Sequence, residues 1–222
     1  MTITFNRKKI FAFADTHGRH RELEVPGNTD ILVCAGDVCD AGNEMQLRDF
    51  FAWFAGQPAK YKLFVPGNHD LPFDIAPQHA AGYIPQGVTF IENGGVMLGG
   101  VHFYVLPVRP WLHGHGQIPY LILPDFGIST IPGLHGEIPN LIHGHGRQIP
   151  NLPKRVDVLV THGAPKGILD ENGRGCPILR QLVTGVKPGI HIFGHFHRTG
   201  GKYETVGKTT FYNVAVKYEN IV

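Results

Sequence analysis

Apolar residues in this chain gather into short unbroken runs, and the runs share an ending. Ile10–Ala14 stops at Asp15-Thr16-His17, Ile31–Ala35 at Gly36-Asp37, and Lys62–Val65 at Pro66-Gly67-Asn68-His69-Asp70. Val156–Val160 stops at Thr161-His162-Gly163, and Ile190–Phe193 at Gly194-His195-Phe196-His197. Runs of this length that are apolar throughout, rather than alternating, predict strands covered on both faces. Helical spacing lies between them. Asn43 caps a segment with Leu47, Phe50, Phe51 and Phe54 on one face, closed by Gly56 and Pro58. Pro177 opens a second, carrying Ile178, Leu179 and Leu182 and stopped by Gly185. The alternation predicts an α/β architecture. Val88–Ile91, a turn at Asn93-Gly94-Gly95, then Val96–Leu98 and Val101–Leu106 read as hairpin-like, and Thr209–Val216 as a further strand. The sheets are therefore expected to be mixed.

Composition narrows the class. A length of 222 residues fits one domain, 1–222, with a substantial core. A net charge of +2, with 17% charged residues, excludes a strong pull toward nucleic acid or membrane. Met1 to Lys9 is polar and the next apolar stretch is too short for a signal peptide. No run approaches the roughly 20 apolar residues of a membrane span. Three cysteines (Cys34, Cys39, Cys176) form no even disulfide framework, so a cytoplasmic location is expected.

Segment 112–153 departs from the rest. It repeats a His-Gly, Ile-Pro, Leu unit three times imperfectly and holds five of the fourteen histidines. Its His-Gly-His-Gly strings (His113, His115, His143, His145) follow no apolar run, unlike Gly194-His195. Three readings stay open: a lid over a cleft, an accessory metal site, or a passive excursion. Arg109 and Trp111 before it and Arg147 within it are candidate contacts for a substrate phosphate, Arg109 foremost.

The five run-terminal pieces carry the chemistry. Strand ends of an open α/β sheet face one crevice, so five such ends bearing Asp, His and Asn predict one metal site built from five loops. Carboxylate oxygens with imidazole nitrogens suit Mn, Fe or Zn rather than a thiolate-type centre. An aspartate with a spare oxygen can bridge two ions about 3.5–4 Å apart. Blander roles exist for each residue alone. Asp15 can be a turn cap, Asn68 a turn residue, His162 a core histidine and Cys39 a small buried side chain. Their joint occurrence at strand ends favours the metal reading.

The order Asp-x-His, Gly-Asp, Gly-Asn-His-Asp, His-Gly, Gly-His-x-His resembles the calcineurin-like metallophosphoesterase superfamily. Thr161-His162-Gly163-Ala164-Pro165, Gly167-Ile168-Leu169-Asp170 and Gly175-Cys176 resemble its small phosphodiesterase branch related to the metallophosphoesterase-domain proteins. The resemblance covers residues 10–110 and 154–216. It implies a sandwich of two mixed β-sheets flanked by helices. It also implies two divalent metal ions, Mn foremost, with Fe, Zn or Mg as alternatives. Carried over residue by residue, one ion takes Asp15, His17, Asp37 and His197, and the other Asp37, Asn68, His162 and His195. His69 is the implied general acid and Asp40 its orienting partner, while Asp70 has a supporting role outside the ligand set. The reaction implied is hydrolysis of a small phosphoester or nucleotide, a phosphodiester first, by metal-bridged hydroxide attack. A phosphomonoesterase or protein phosphatase with the same centre is the alternative, and a non-catalytic metal-binding interaction module the reading from another class. In relatives a different segment stands at the place of 112–153 and helps shape the substrate cleft.

Overall fold

A computed structural model describes residues 1–106, 108–110, 119–121, 153 and 155–217. Two sheets lie at its centre. The first contains β1 (Thr2–Phe5), β2 (Lys8–Phe13), β3 (Ile31–Cys34), β4 (Tyr61–Phe64) and β5 (Val88–Phe90), in that order, with only the β1–β2 pair antiparallel. The second draws on β6 (Gly94–Leu98), β7 (Val101–Val105), β10 (Val158–Val160), β11 (Ile190–Phe193), β12 (Tyr203–Val206) and β13 (Thr209–Asn213). Its spatial order is β12-β13-β11-β10-β7-β6, parallel at the centre and antiparallel at both edges. A small ladder pairs β8 (Val108–Pro110) with β9 (Pro119–Leu121).

The unbroken apolar runs are explained by what covers each face. Successive strand side chains point to opposite faces, so each run divides between two cores. Ile10, Ala12, Ile31, Val33 and Leu63 meet Val101, Phe103, Val158, Val160, Ile190 and Ile192 between the sheets. Their neighbours Phe13, Leu32, Cys34 and Phe64 turn outward onto Leu47, Phe50, Phe51 and Phe54 of α1 (Glu44–Ala55). On the far side Leu159, Phe193 and Phe211 pack on Leu179, Leu182 and Val183 of α4 (Pro177–Val186). The short helices α2 (Pro72–Ile75) and α3 (Pro77–Ala81) complete the first outer layer, Phe73 and Ala80 joining that core.

Two local expectations are corrected. The hairpin is β6–β7, turned at Gly99-Gly100. The Asn93-Gly94 turn instead carries the chain from β5 in the first sheet to the second. Both stretches have hairpin composition, and only long-range pairing selects between them. Gly185 lies inside α4, which ends at Val186 and is capped by Lys187 with φ 52° in the left-handed region, ahead of Pro188. Edge strands β1 and β12 are additions, each closed by a positive-φ turn, at Asn6-Arg7 and Gly207. Lys154 and most of 112–153 lie outside the described residues.

Candidate metal centre

All five run-terminal loops leave the carboxyl ends of parallel strands, and the two sheets bring those ends together. Ala14, just past β2, makes a parallel bridge to Ala215 beyond β13. Its N–H donates to Val214 and its carbonyl accepts from Val216. Across that seam the His195 N–H reaches Asp15 Oδ2 at 2.9 Å, over 180 positions of sequence.

The glycines of these loops are explained by close approach. A Cβ at Gly36 would collide with the Gly67 backbone, and one at Gly67 with the Asp37 carboxylate. Asp15, His17, Asp37 and His195 have φ of 62°, 44°, 55° and 68°. Such values are uncommon for residues with a Cβ, and strain of this kind clusters at functional sites.

Three groups of donor atoms result: Asp15, His17 and His197; His17, Asp37 and His69; and Asp37, His162 and His195. Within each group the atoms lie within 4.8 Å of one another. His17 belongs to the first two groups and Asp37 to the last two. Asn68, in the loop beside Asp37, is buried, and neither its Oδ1 nor its Nδ2 has a hydrogen-bond partner. Asp15 Oδ1 is likewise buried without one. An unsatisfied buried polar atom costs about 1–3 kcal/mol, so this convergence of orphan donor atoms fits a cation. Six of the seven expected ligands therefore fall in groups linked through His17 and Asp37, Asn68 lies in the adjoining loop, and His195 and His197 serve different groups. The left-handed backbone of His195 makes their segment a loop rather than an extended strand, with a helical turn starting at His197.

Surrounding contacts set the orientation of these groups. His162 Nδ1 bonds the Ala35 carbonyl at 2.7 Å, which leaves Nε2 facing Asp37 Oδ2 at 3.2 Å. A second-contact carbonyl of this kind fixes the tautomer of a metal-binding histidine. Burial disfavours charge on His162, but the Asp37 carboxylate outweighs it and the pKa rises to about 9. Burial works against charge on Asp37 as well, yet His162, His69 and His17 around it hold it well below the usual carboxylate range. Asp15 moves up because of burial, reinforced by Asp37 and opposed by His162 and His197. Burial, aided by His162, lowers His195 to about 3.

Asp70, expected only to support the site, proves central to its construction. Its Oδ2 accepts from the N–H groups of Gly67 and Asp37 at 2.8 and 2.9 Å, and its Oδ1 from those of Val38 and Cys39 at 3.0 and 3.3 Å. One fully buried carboxylate thus pins the Asp37 loop to the Asn68 loop.

The expected Asp40–His69 pair does not form. Asp40 Oδ1 lies 3.1 Å from His17 Nδ1, while His69 Nδ1 has no hydrogen-bond partner. The Asp40 side chain is committed elsewhere because Gln46 of α1, which has no signature in the sequence, bonds its other oxygen. His69 does lie at the centre, its backbone N–H on Asp37 Oδ1 at 2.7 Å and its Nε2 4.0 Å from Oδ2. The side chain of Arg109 lies outside the described residues, as do Trp111, Arg147 and the His-Gly-His-Gly strings.

Residues 8–199 match the calcineurin-like phosphoesterase family. The chain belongs to that family. Among similar proteins is metallophosphoesterase domain-containing protein 1 of Homo sapiens, 28% identical across 94% of this chain and 66% of its own length. A UPF0046 protein of Caenorhabditis elegans is 31% identical across 93% of this chain and 69% of its own. The chain thus spans about two thirds of the length of these curated relatives. The crystal structure of TT1561 of Thermus thermophilus superposes with a TM-score of 0.55 at 15% identity, covering 92% of this chain and 87% of that one, a likeness of fold. The family implies divalent metal ions, and the three donor groups are where this chain would hold them. Among the described residues no helix is long and apolar enough to cross a membrane.

Proposed function

We propose that this calcineurin-like phosphoesterase hydrolyses a small phosphoester or nucleotide through two divalent cations that share Asp37, with a phosphodiester as its preferred substrate. The observation that carries this reading is the double membership of Asp37, within 4.8 Å of His17 and His69 on one side and of His162 and His195 on the other. Asp15, His17, Asp37 and His197 would hold one ion, and Asp37, Asn68, His162 and His195 the other. Carboxylate, amide oxygen and imidazole together suit Mn first, with Fe, Zn and Mg as alternatives. Bound there, a cation pair lowers the pKa of water and neutralises charge on the phosphoryl group.

The protein's own contribution is positional. Asp70 holds two ligand loops in register, and Ala35 aims His162 Nε2 inward. The His69 side chain is 26% exposed, so its ring reaches both the centre and the solvent side. There it would hold the proton required by the leaving oxygen. Preference for a diester follows from the likeness of the Thr161–Cys176 segment to the phosphodiesterase branch. The three cysteines are free and buried, which suits a cytoplasmic enzyme.

The test is hydrolysis of bis(p-nitrophenyl) phosphate against p-nitrophenyl phosphate, with Mn²⁺ and with chelator. Metal-dependent cleavage favouring the diester is expected. A folded chain that turns over neither ester with any divalent cation is not a phosphoesterase, and a reversed preference would remove the diester assignment alone.

A further inference from the structure

His17 and Asp40 stand 23 positions apart in sequence, and the fold joins them through a residue of helix α1. Gln46 Oε1 accepts from the Asp40 backbone N–H at 2.7 Å, and Gln46 Nε2 donates to Asp40 Oδ2 at 3.1 Å. Asp40 is therefore held at both its backbone and its carboxylate, although its side chain is 58% exposed. Gln46 is itself placed by the helix start, where Asn43 Oδ1 accepts from the N–H groups of Met45 and Gln46. Its amide lies against the loop that carries His17. A Cβ added at Gly18 would stand 2.6 Å from Gln46 Nε2. The same loop is tied to the Asp37 loop by His17 N–H on the Asp37 carbonyl and Gly18 N–H on that of Val38.

With Oδ2 on Gln46, the Asp40 oxygen left for an imidazole is Oδ1, and it sits on His17 Nδ1. That engagement leaves His17 Nε2 as the nitrogen for a cation, beside Asp15 and His197. We infer that Asp40, set in place by Gln46, is a positioning residue for the metal ligand His17. A carboxylate on Nδ1 fixes the tautomer and ring orientation and raises the basicity of Nε2. A plain turn would need no carboxylate facing an imidazole, and Gln46 alone would satisfy the Asp40 N–H. The inference rests on the two-cation reading above, and gives it an asymmetry: among the described residues a carboxylate supports His17 on the Asp15–His17–His197 side, whereas His162 on the other side is supported by a backbone carbonyl.

The full chain, stripped with chelator, is titrated with Mn²⁺ by calorimetry, and the bound ions are counted. Two ions are expected. Asp40→Asn is expected to weaken one of them by about ten- to a hundred-fold and leave the other unchanged, the unchanged ion showing that the variant is folded. Gln46→Ala should weaken the same ion by less. Nitrogen-15 NMR of the metal-free protein supplies a readout independent of cations: His17 should carry its proton on Nδ1, and lose that preference in Asp40→Asn. An Asp40→Asn chain that binds both ions normally and keeps the His17 tautomer overturns the inference. If that chain also loses turnover as His69→Ala does, Asp40 belongs to His69 instead. Fewer than two ions on the unaltered chain would sink the two-cation reading, and the His17 tautomer would still decide the role of Asp40.

Discussion

His191 allows a quantitative test of how the core beneath the site is built. It is fully buried in β11, with Phe193 and Phe211 rings 5.2 and 5.7 Å away. Its Nε2 lies 2.9 Å from Thr161 Oγ1, and that hydroxyl donates to the Gly163 carbonyl at 2.6 Å. A hydroxyl has one proton, so His191 must be the donor and carry its own proton on Nε2. Nδ1 then has no partner, and adding a proton there places a charge among aromatic rings. Burial accordingly lowers the pKa from 6.5 to about 3. A depressed folded-state pKa means the unfolded chain takes the proton first. The stability contributed by neutral His191 is thus complete above pH 6.5 and falls progressively as the pH approaches 3. At 1.36 kcal/mol per pKa unit the loss reaches about 2 kcal/mol by pH 5. The assay is urea unfolding from pH 7.5 to 5 with chelator present, comparing the unaltered chain with His191→Gln. Glutamine keeps an N–H donor for Thr161 and does not titrate. The variant starts less stable, because the ring is lost, but should lose about 2 kcal/mol less over the interval. Parallel stability curves would refute the assignment.

The other predictions concern the centre. Asp37→Asn should weaken both cations together in a Mn²⁺ titration, and two tightly held ions in that variant would contradict sharing. Gly67→Ala drives a Cβ into the Asp37 carboxylate. It should cost about 1–3 kcal/mol of stability and reduce metal affinity, and an unchanged melt and titration would show that the loops have room to part. His69→Ala should retain both ions yet lose about 10²–10⁴-fold in turnover, most with poor leaving groups; full activity would remove the proton-donor role.

Much of this protein is legible in one dimension because its strands are short and its site residues follow them directly. The run Ile31–Ala35 reads as a doubly covered strand, and Val33 and Leu32 do face different cores. Asn43 reads as a helix cap, and its Oδ1 accepts two helix N–H groups. What could not be read was partner choice. Asn93-Gly94 and Gly99-Gly100 both look like hairpin turns, and β5 is drawn away by β4, distant in sequence. Gly185 looks like a helix stop, but α4 continues to Val186 and is capped by Lys187, with Leu182 and Val183 packed on the second sheet. Asp70 had a reserved place beside Asn68 and His69, while its four N–H donors come from two loops that meet only in the fold.

The amino-acid sequence alone determined which side chains are available for a cation and that each follows a strand. Composition and order are local properties, and metal chemistry depends on donor type. Tertiary structure decided the grouping: which donor atoms lie within reach of one another, that Asp37 stands between two groups, and that Asp40 faces His17 and not His69. Those outcomes hang on contacts of a few ångströms between loops from two sheets, joined at the Ala14–Ala215 seam. Such distances follow from how the sheets pack, and no spacing along the chain encodes them.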